Sequence, residues 1–223
     1  MRQLLLQLAP PPAPTLDNYV PGRNGAALKA LRDIARGEGS ERFVYLWGEP
    51  GSGRTHLLQG LAHAAPGPAA VYACGALEGG TEATRMLAVD NVQNLPAGDQ
   101  VVLFDLYNRM RAGRGALVAS GDAAPAQLAL REDLRSRLAW GLAFQLHPLS
   151  DEEKTEALRG QARARSLDLG EDVIAYLLRR AQRDMASLIG ILDALDRYSL
   201  QLKRPITLPL VRDALESLKD RSA

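Results

Sequence analysis

The chain has 223 residues, 46% of them apolar, which is enough to build a sizeable core and excludes a disordered protein. With 27 basic against 26 acidic residues the net charge is +1, so no global field draws the chain to nucleic acid or to an anionic membrane; DNA contact would need a local patch or a partner. One cysteine and three scattered histidines exclude a disulfide framework and a cysteine-based zinc site, and they fit a reducing cytoplasm.

The N-terminus, MRQLLLQLAPPPAPT, has a short apolar run broken by Gln7 and followed by Pro10, Pro11 and Pro12 where a signal peptide needs small residues. It reads as the exposed tail of a cytoplasmic protein, and no apolar run approaches the ~20 residues that cross a bilayer. Ala27, Leu28, Leu31 and Ile34 at helical spacing predict a helix ending near Gly37. RFVYLWG then reads as a strand entering a glycine-rich turn, and THLLQGLAHAA as the helix leaving it. Short apolar strands are expected at 69–74, 85–91, 115–122 and 141–149. Between them, Leu103, Leu106, Tyr107 and Met110 share one face of a helix. Strands alternating with helices predict a parallel sheet covered on both faces.

The texture changes after Pro148. Ser150 with Glu153 is a capping-box signature for SDEEKTEALRGQARAR. DVIAYLLRRA and MASLIGILDALDRYSLQL carry a 3.6-residue period, and Thr207 with Pro209 opens a last helix. The expected organisation is a tail over 1–14, an α/β unit over 15–148 and a helical unit over 149–223.

The stretch LWGEPGSGRTHLL carries the chemistry. Gly48, Gly51, Gly53 and Thr55 fit a G-x-x-x-x-G-K-[ST] pattern, with Arg54 at the lysine position. A strand, a glycine turn and a helix in that order aim main-chain N–H groups and a helix dipole at a phosphate. The plain alternative is a strand-to-helix turn with no ligand. Thr55 would place its hydroxyl on Mg²⁺. Arg54 offers a planar fork, bulkier than a lysine point charge between two phosphates. Asp90, at the end of an apolar strand downstream, stands where Mg²⁺ is held through water; a strand-end aspartate that merely starts a turn is the alternative. The next residue, where many ATPases have an acid, is Asn91, whose amide cannot take a proton. His56 reads as a first-turn residue of the loop helix, His63 and His147 receive no role, and Trp47 and Trp140 read as packing residues. Arg111, Arg114, Arg131 and Arg135 near Arg137 read as a solvated face or an oligomer rim; alternatively Arg131, Arg135 and Arg137 together meet an acidic or phosphate-bearing partner.

FDLYNR (104–109), LVASGD and LRSRLAWGLAFQLHPLSDEEK follow in an order that resembles the AAA+ module of the bacterial replication initiator DnaA. More closely the chain resembles the Hda family, the regulatory inactivators of DnaA, from QLLLQL through LDNYVPG to the last helix. The resemblance implies an α/β AAA+ P-loop NTPase module with a parallel sheet flanked by helices, followed by a small C-terminal helical lid. It implies a base pocket at Tyr19, Val20 and Pro21, in DNYVPGRN. Nucleotide contacts would run along Gly48, Pro50, Gly51, Ser52, Gly53, Arg54, Thr55 and His56, with Mg²⁺ at Thr55 and Asp90. A strand-end sensor is implied at SGD, with Ser120 and Asp122 as candidates, and SRLAWG makes Arg137 the arginine finger. RQLLLQLAP resembles a short motif that docks on the DNA polymerase III beta sliding clamp: Gln3 would hydrogen-bond while Leu4, Leu6 and Leu8 fill an apolar groove. Alone, that stretch reads as a frayed leucine-rich start.

Departures from the family pattern shape the expected function. No segment reads as the helix-turn-helix domain of DnaA, and CGALEGGTEAT is shorter than the corresponding family segment. The lid position that commonly carries an arginine toward the phosphates is Ala186, and Arg180 and Arg183 lie off the expected turn. Arg54, Asn91 and Ala186 each remove part of an efficient hydrolase. The expected role is therefore to hold ADP (or ATP) with Mg²⁺ and to lend Arg137 to ATP on DnaA while docked on the clamp. DnaA and the clamp are the expected partners, with DNA met only through the clamp, no membrane, and a homo-oligomer left open. Rival readings are a helicase-loader ATPase of the DnaC type, expected to carry a longer N-terminal region, and a nucleotide-independent adaptor between clamp and initiator. A clamp-loader subunit would need a collar domain.

Overall fold

The computed structural model describes residues 13–65, 67, 69–72, 85–180, 185–202 and 206–212. Gln3, Leu4, Leu6 and Leu8, the short segment before Asp90, and Arg183 lie outside the described residues.

Strands as short and apolar as these must be covered on both faces, and that need sets the architecture. β1 (Phe43–Gly48), β2 (Ala69–Tyr72), β3 (Met86–Val89), β4 (Ala116–Gly121) and β5 (Leu142–Leu146) form one sheet in the order β2-β3-β4-β1-β5, every pair parallel. α1 (Gly25–Arg36) precedes β1, and α2 (Arg54–Ala64), α3 (Ala97–Ala112) and α4 (Glu132–Trp140) supply crossovers. Val44 and Leu46 of β1 face a cluster with Leu28, Leu31, Leu57, Leu58 and Leu61 of α1 and α2. Tyr45, one residue out of phase, faces the opposite cluster with Leu103, Leu106, Tyr107, Leu134 and Leu138 of α3 and α4. β1 lies between β4 and β5, so the turn after Gly48 opens at the carboxyl end of the sheet, beside the end of β4 and one strand from that of β3.

The expected α/β module is the observed one, with local details that explain it. α1 stops where Gly37 takes φ +69° and its N–H caps the Asp33 and Ile34 carbonyls. α4 has no counterpart among the expected elements. It buries only Leu134 and Leu138, four residues apart, too few apolar positions for periodicity to reveal a helix. Trp140 corrects a second expectation: it is 54% exposed and joins neither cluster, whereas Trp47 packs against the α3–α4 side.

A second compact unit begins at Leu149. α5 (Asp151–Ala164) starts with the capping box that Ser150 and Glu153 announce, Glu153 N–H donating to Ser150 Oγ and Ser150 N–H to Glu153 Oε2. α6 (Glu171–Arg180), α7 (Met185–Leu202) and helical residues 208–212 complete it. Its own core comprises Leu158, Val173, Ile174, Leu177, Leu188, Leu195, Ile206 and Val211. Arg165, paired with Asp193 at 2.7 Å, ties α7 back to the chain just after α5.

Candidate functional site

Between β1 and α2 the chain makes a cradle that side chains would fill. A Cβ on Gly48 would overlap the Leu146 carbonyl oxygen, and one on Gly53 would stand 2.7 Å from the Tyr19 ring. Gly53 adopts φ +90° and Gly51 φ +83°, conformations that side-chain-bearing residues rarely take. Gly51 has nothing within 4 Å of where a Cβ would be, so the cradle opens there. No side chain caps the first turn of α2, which leaves its leading N–H groups directed at the cradle. Pro50 is exposed and Ser52 buried. Ser52 Oγ and Arg54 Nη1 are enclosed without a hydrogen-bond partner. Enclosed donors without acceptors are costly, and an anion in the cradle would satisfy them. The donor set therefore fits a phosphate group.

The cation side of the cradle is organised around Asp90, which is 7% exposed. Thr55 Oγ1 donates to Asp90 Oδ2 at 2.6 Å, and Ser120 Oγ donates to Asp90 Oδ1 in a short hydrogen bond. Asn91 N–H in turn donates to Ser120 Oγ at 3.2 Å. Thr55 of α2 and Ser120 of β4 thus hold one carboxylate at the mouth of the loop. A single carboxylate and a hydroxyl beside a phosphate cradle suit Mg²⁺, which keeps most of its water and shares phosphate oxygens. Of the two sensor candidates Ser120 bonds Asp90, while Asp122 is exposed on the turn after β4. Asn91 takes φ +55°, ψ +53°, a left-handed conformation that asparagine tolerates, and its Oδ1 accepts from Gln93 Nε2 at 3.3 Å.

The segment before α1 lies directly on this loop. Tyr19 is buried, its ring covers Gly53, and its hydroxyl donates to the Ser52 carbonyl at 3.3 Å. Burial raises the Tyr19 pKa, opposed by the hydrogen bond from Asn24. Val20 is partly buried, and Pro21 is exposed, capping a short turn over Gly22–Asn24. His56 Nε2–H donates to the Thr15 carbonyl at 3.0 Å, and its ring lies 5.4 Å from that of Tyr19. Burial lowers the His56 pKa, with the Thr15 carbonyl working against it. His56 is thus a latch between the loop helix and the incoming chain.

Asn24 is the site residue that sequence reasoning missed. It is 4% exposed and donates from Nδ2 to Tyr19 Oη at 3.0 Å and to the His147 carbonyl at 2.8 Å. Its Oδ1 accepts from His147 N–H, also at 2.8 Å. One amide thus joins the chain over the loop to the end of β5. No local signal marks it, because its partner lies 123 residues away.

Arg137 occupies the other end of the sheet. It lies in the last turn of α4, and the chain then enters β5, where Leu142 pairs with Val44 near the start of β1. The guanidinium carbon is 4.0 Å from the Trp140 ring centroid and 5.5 Å from that of Phe104. Arg111 stacks on the same indole at 4.3 Å. Nearby, Ser40, Glu41, Arg42, Phe43, Tyr107 and Gly141 help line a hollow of about 300 Å³. Burial raises the Tyr107 pKa, with Arg111 and Arg137 opposing. Arg131 is paired with Asp133 at 2.7 Å, while Arg111 shares the Trp140 ring with Arg137.

Residues 151–215 match the family described as "Hda, lid domain". The fold is that of the crystal structure of domain III from the Thermotoga maritima replication initiation protein DnaA, with a TM-score of 0.69 and 23% identity over 94% of this chain and 97% of that one. AMPPCP-bound DnaA from Aquifex aeolicus gives 0.69 and 20%, over 86% and 70%. A point mutant of Thermotoga maritima RuvB gives 0.63 and 20%, over 91% and 71%. Residues 151–215 are thus similar to the Hda lid domain, and the chain has the fold of DnaA domain III.

Proposed function

We propose that this protein restrains replication initiation by holding a nucleotide in its own loop and lending Arg137 to ATP bound on DnaA. The observation that carries the reading is the separation of the two chemistries. β1 has six residues and spans roughly 17 Å at ~3.3 Å per residue; the cradle lies at its end and Arg137 beside its start. An arginine side chain does not reach across that span, so any phosphate Arg137 meets belongs to another molecule. In phosphoryl transfer, such a donor in trans is worth ~10³–10⁵ in rate by stabilising charge on the transferred group.

At the quiet end, Gly48 to Thr55 would hold the phosphates of ADP or ATP, with Thr55 and Asp90 placing Mg²⁺, which when bound neutralises phosphate charge. Tyr19, Val20 and Pro21 are the proposed base-side residues. Asn91 cannot accept a proton from water, which supports a loop that keeps its nucleotide. Gln3, Leu4, Leu6 and Leu8 are proposed to dock on the sliding clamp, so that inactivation follows loading of clamps on DNA.

The test is DnaA-bound ATP hydrolysis in the presence of clamp loaded on DNA. Arg137→Ala should abolish stimulation while leaving clamp binding and ADP-induced stabilisation intact. Stimulation equal to the unmodified protein would overturn the reading. One observation favours a nucleotide-independent adaptor: Tyr19 covers Gly53 and donates to the Ser52 carbonyl, so the loop has protein contacts of its own. That adaptor is preferred if ADP leaves the melting temperature unchanged, since a ligand of the folded state raises it in proportion to affinity.

A further inference from the structure

We infer that Trp140 is the positioning residue for the Arg137 guanidinium; the inference rests on the trans-donor reading above. Arg137 makes no ion pair among the described residues, and its Nε is enclosed with no hydrogen-bond partner. Its charge is met by aromatic faces, with Trp140 at 4.0 Å and Phe104 at 5.5 Å. Trp140 stands three residues after Arg137 on α4, the spacing that brings two side chains onto one helix face. The indole is 54% exposed and lies outside both core clusters, so packing does not account for a tryptophan there. Arg111, from the last turn of α3, stacks on the same ring at 4.3 Å and limits its rotation.

The choice of an aromatic partner over a carboxylate has a chemical consequence. A carboxylate would neutralise the guanidinium and occupy its N–H fork. An aromatic face attracts the cation through its quadrupole and leaves the Nη edge of the fork, which lies in the guanidinium plane, available to phosphate while Nε stays enclosed. Trp140 thus holds a charged donor in one orientation without using its donors. Without the ring, the same charge would need to be ordered at the moment of reaction, which lowers the rate and leaves docking unaffected.

The experiment measures stimulation of DnaA-bound ATP hydrolysis, with clamp loaded on DNA, over a range of concentrations of this protein. Trp140→Leu should lower the maximum about two- to fivefold, the loss expected for one cation–ring attraction at an exposed site, and leave the half-saturating concentration and melting temperature unchanged. Trp140→Phe, which keeps a ring face, should recover most of the maximum. Trp140→Gln replaces Trp140→Leu if leucine lowers the melting temperature. Wild-type maximum from a ring-less variant overturns the inference, as does a loss confined to the half-saturating concentration, which would make Trp140 a docking contact. Absence of stimulation by the unmodified protein is a different result: it overturns the trans-donor reading itself and the inference with it.

Discussion

Asn24→Ala isolates the connection between the segment over the loop and the end of β5. The substitution removes a donor to the His147 carbonyl, an acceptor for the His147 N–H and a donor to Tyr19 Oη. Tyr19 keeps its bond to the Ser52 carbonyl, so the cost falls on the two His147 peptide groups. An enclosed group left without a partner costs about 1–3 kcal/mol, and because these two are only partly buried and water can reach them, we expect about 2–4 kcal/mol in total. At ~2–4 °C per kcal/mol for a chain of this size, the melting temperature should fall by about 5–15 °C. Urea unfolding should show a lower midpoint at an unchanged slope, because the surface exposed on unfolding is the same. Arg23→Ala, exposed on the adjoining turn, is the control and should stay within ~0.5 kcal/mol. A change for Asn24→Ala no larger than that control would show that the amide is not what holds the segment down.

Two further outcomes follow from the site and the tail. His56 is held neutral by burial, so its folded pKa lies below its unfolded value near 6.5; its contribution is fully present above about pH 6.5 and is lost as pH falls through the window beneath. His56→Gln keeps a donor for the Thr15 carbonyl and removes the titration, so its stability should fall less between pH 7 and pH 5 than that of the parent; parallel curves would refute the latch. Leu4→Ala with Leu6→Ala should remove capture on immobilised clamp and leave the melting temperature unchanged; a destabilised variant would make those leucines core residues.

What the sequence discloses and what it conceals divides along physical lines. The cradle is legible because strand, glycines and helix are contiguous, and each glycine stands where a positive φ or a close approach demands it. The parallel sheet is legible because its strands are short apolar runs separated by amphipathic helices. α4 is not, since two buried leucines make no period, and its solvent-facing residues are the ones proposed to do the work. Asn24 is hidden by sequence distance. Trp140 misleads because a tryptophan is usually a packing residue; its spacing from Arg137 is visible, but that spacing acquires meaning only once 132–140 is known to be a helix.

Asn91 shows how far backbone demand and chemical demand can be separated. Its left-handed conformation suits asparagine, but aspartate is enriched in the same region, so the backbone does not require the amide. Asn91 N–H donates to Ser120 Oγ whatever the side chain, and the bond that Oδ1 accepts from Gln93 Nε2 would be accepted equally well by a carboxylate. What the amide changes chemically is the capacity to take up a proton beside Asp90. Under the proposed function that loss has a use, because a loop that keeps its nucleotide leaves the assembly with one active reaction centre, on the partner, served from the far end of the sheet by Arg137.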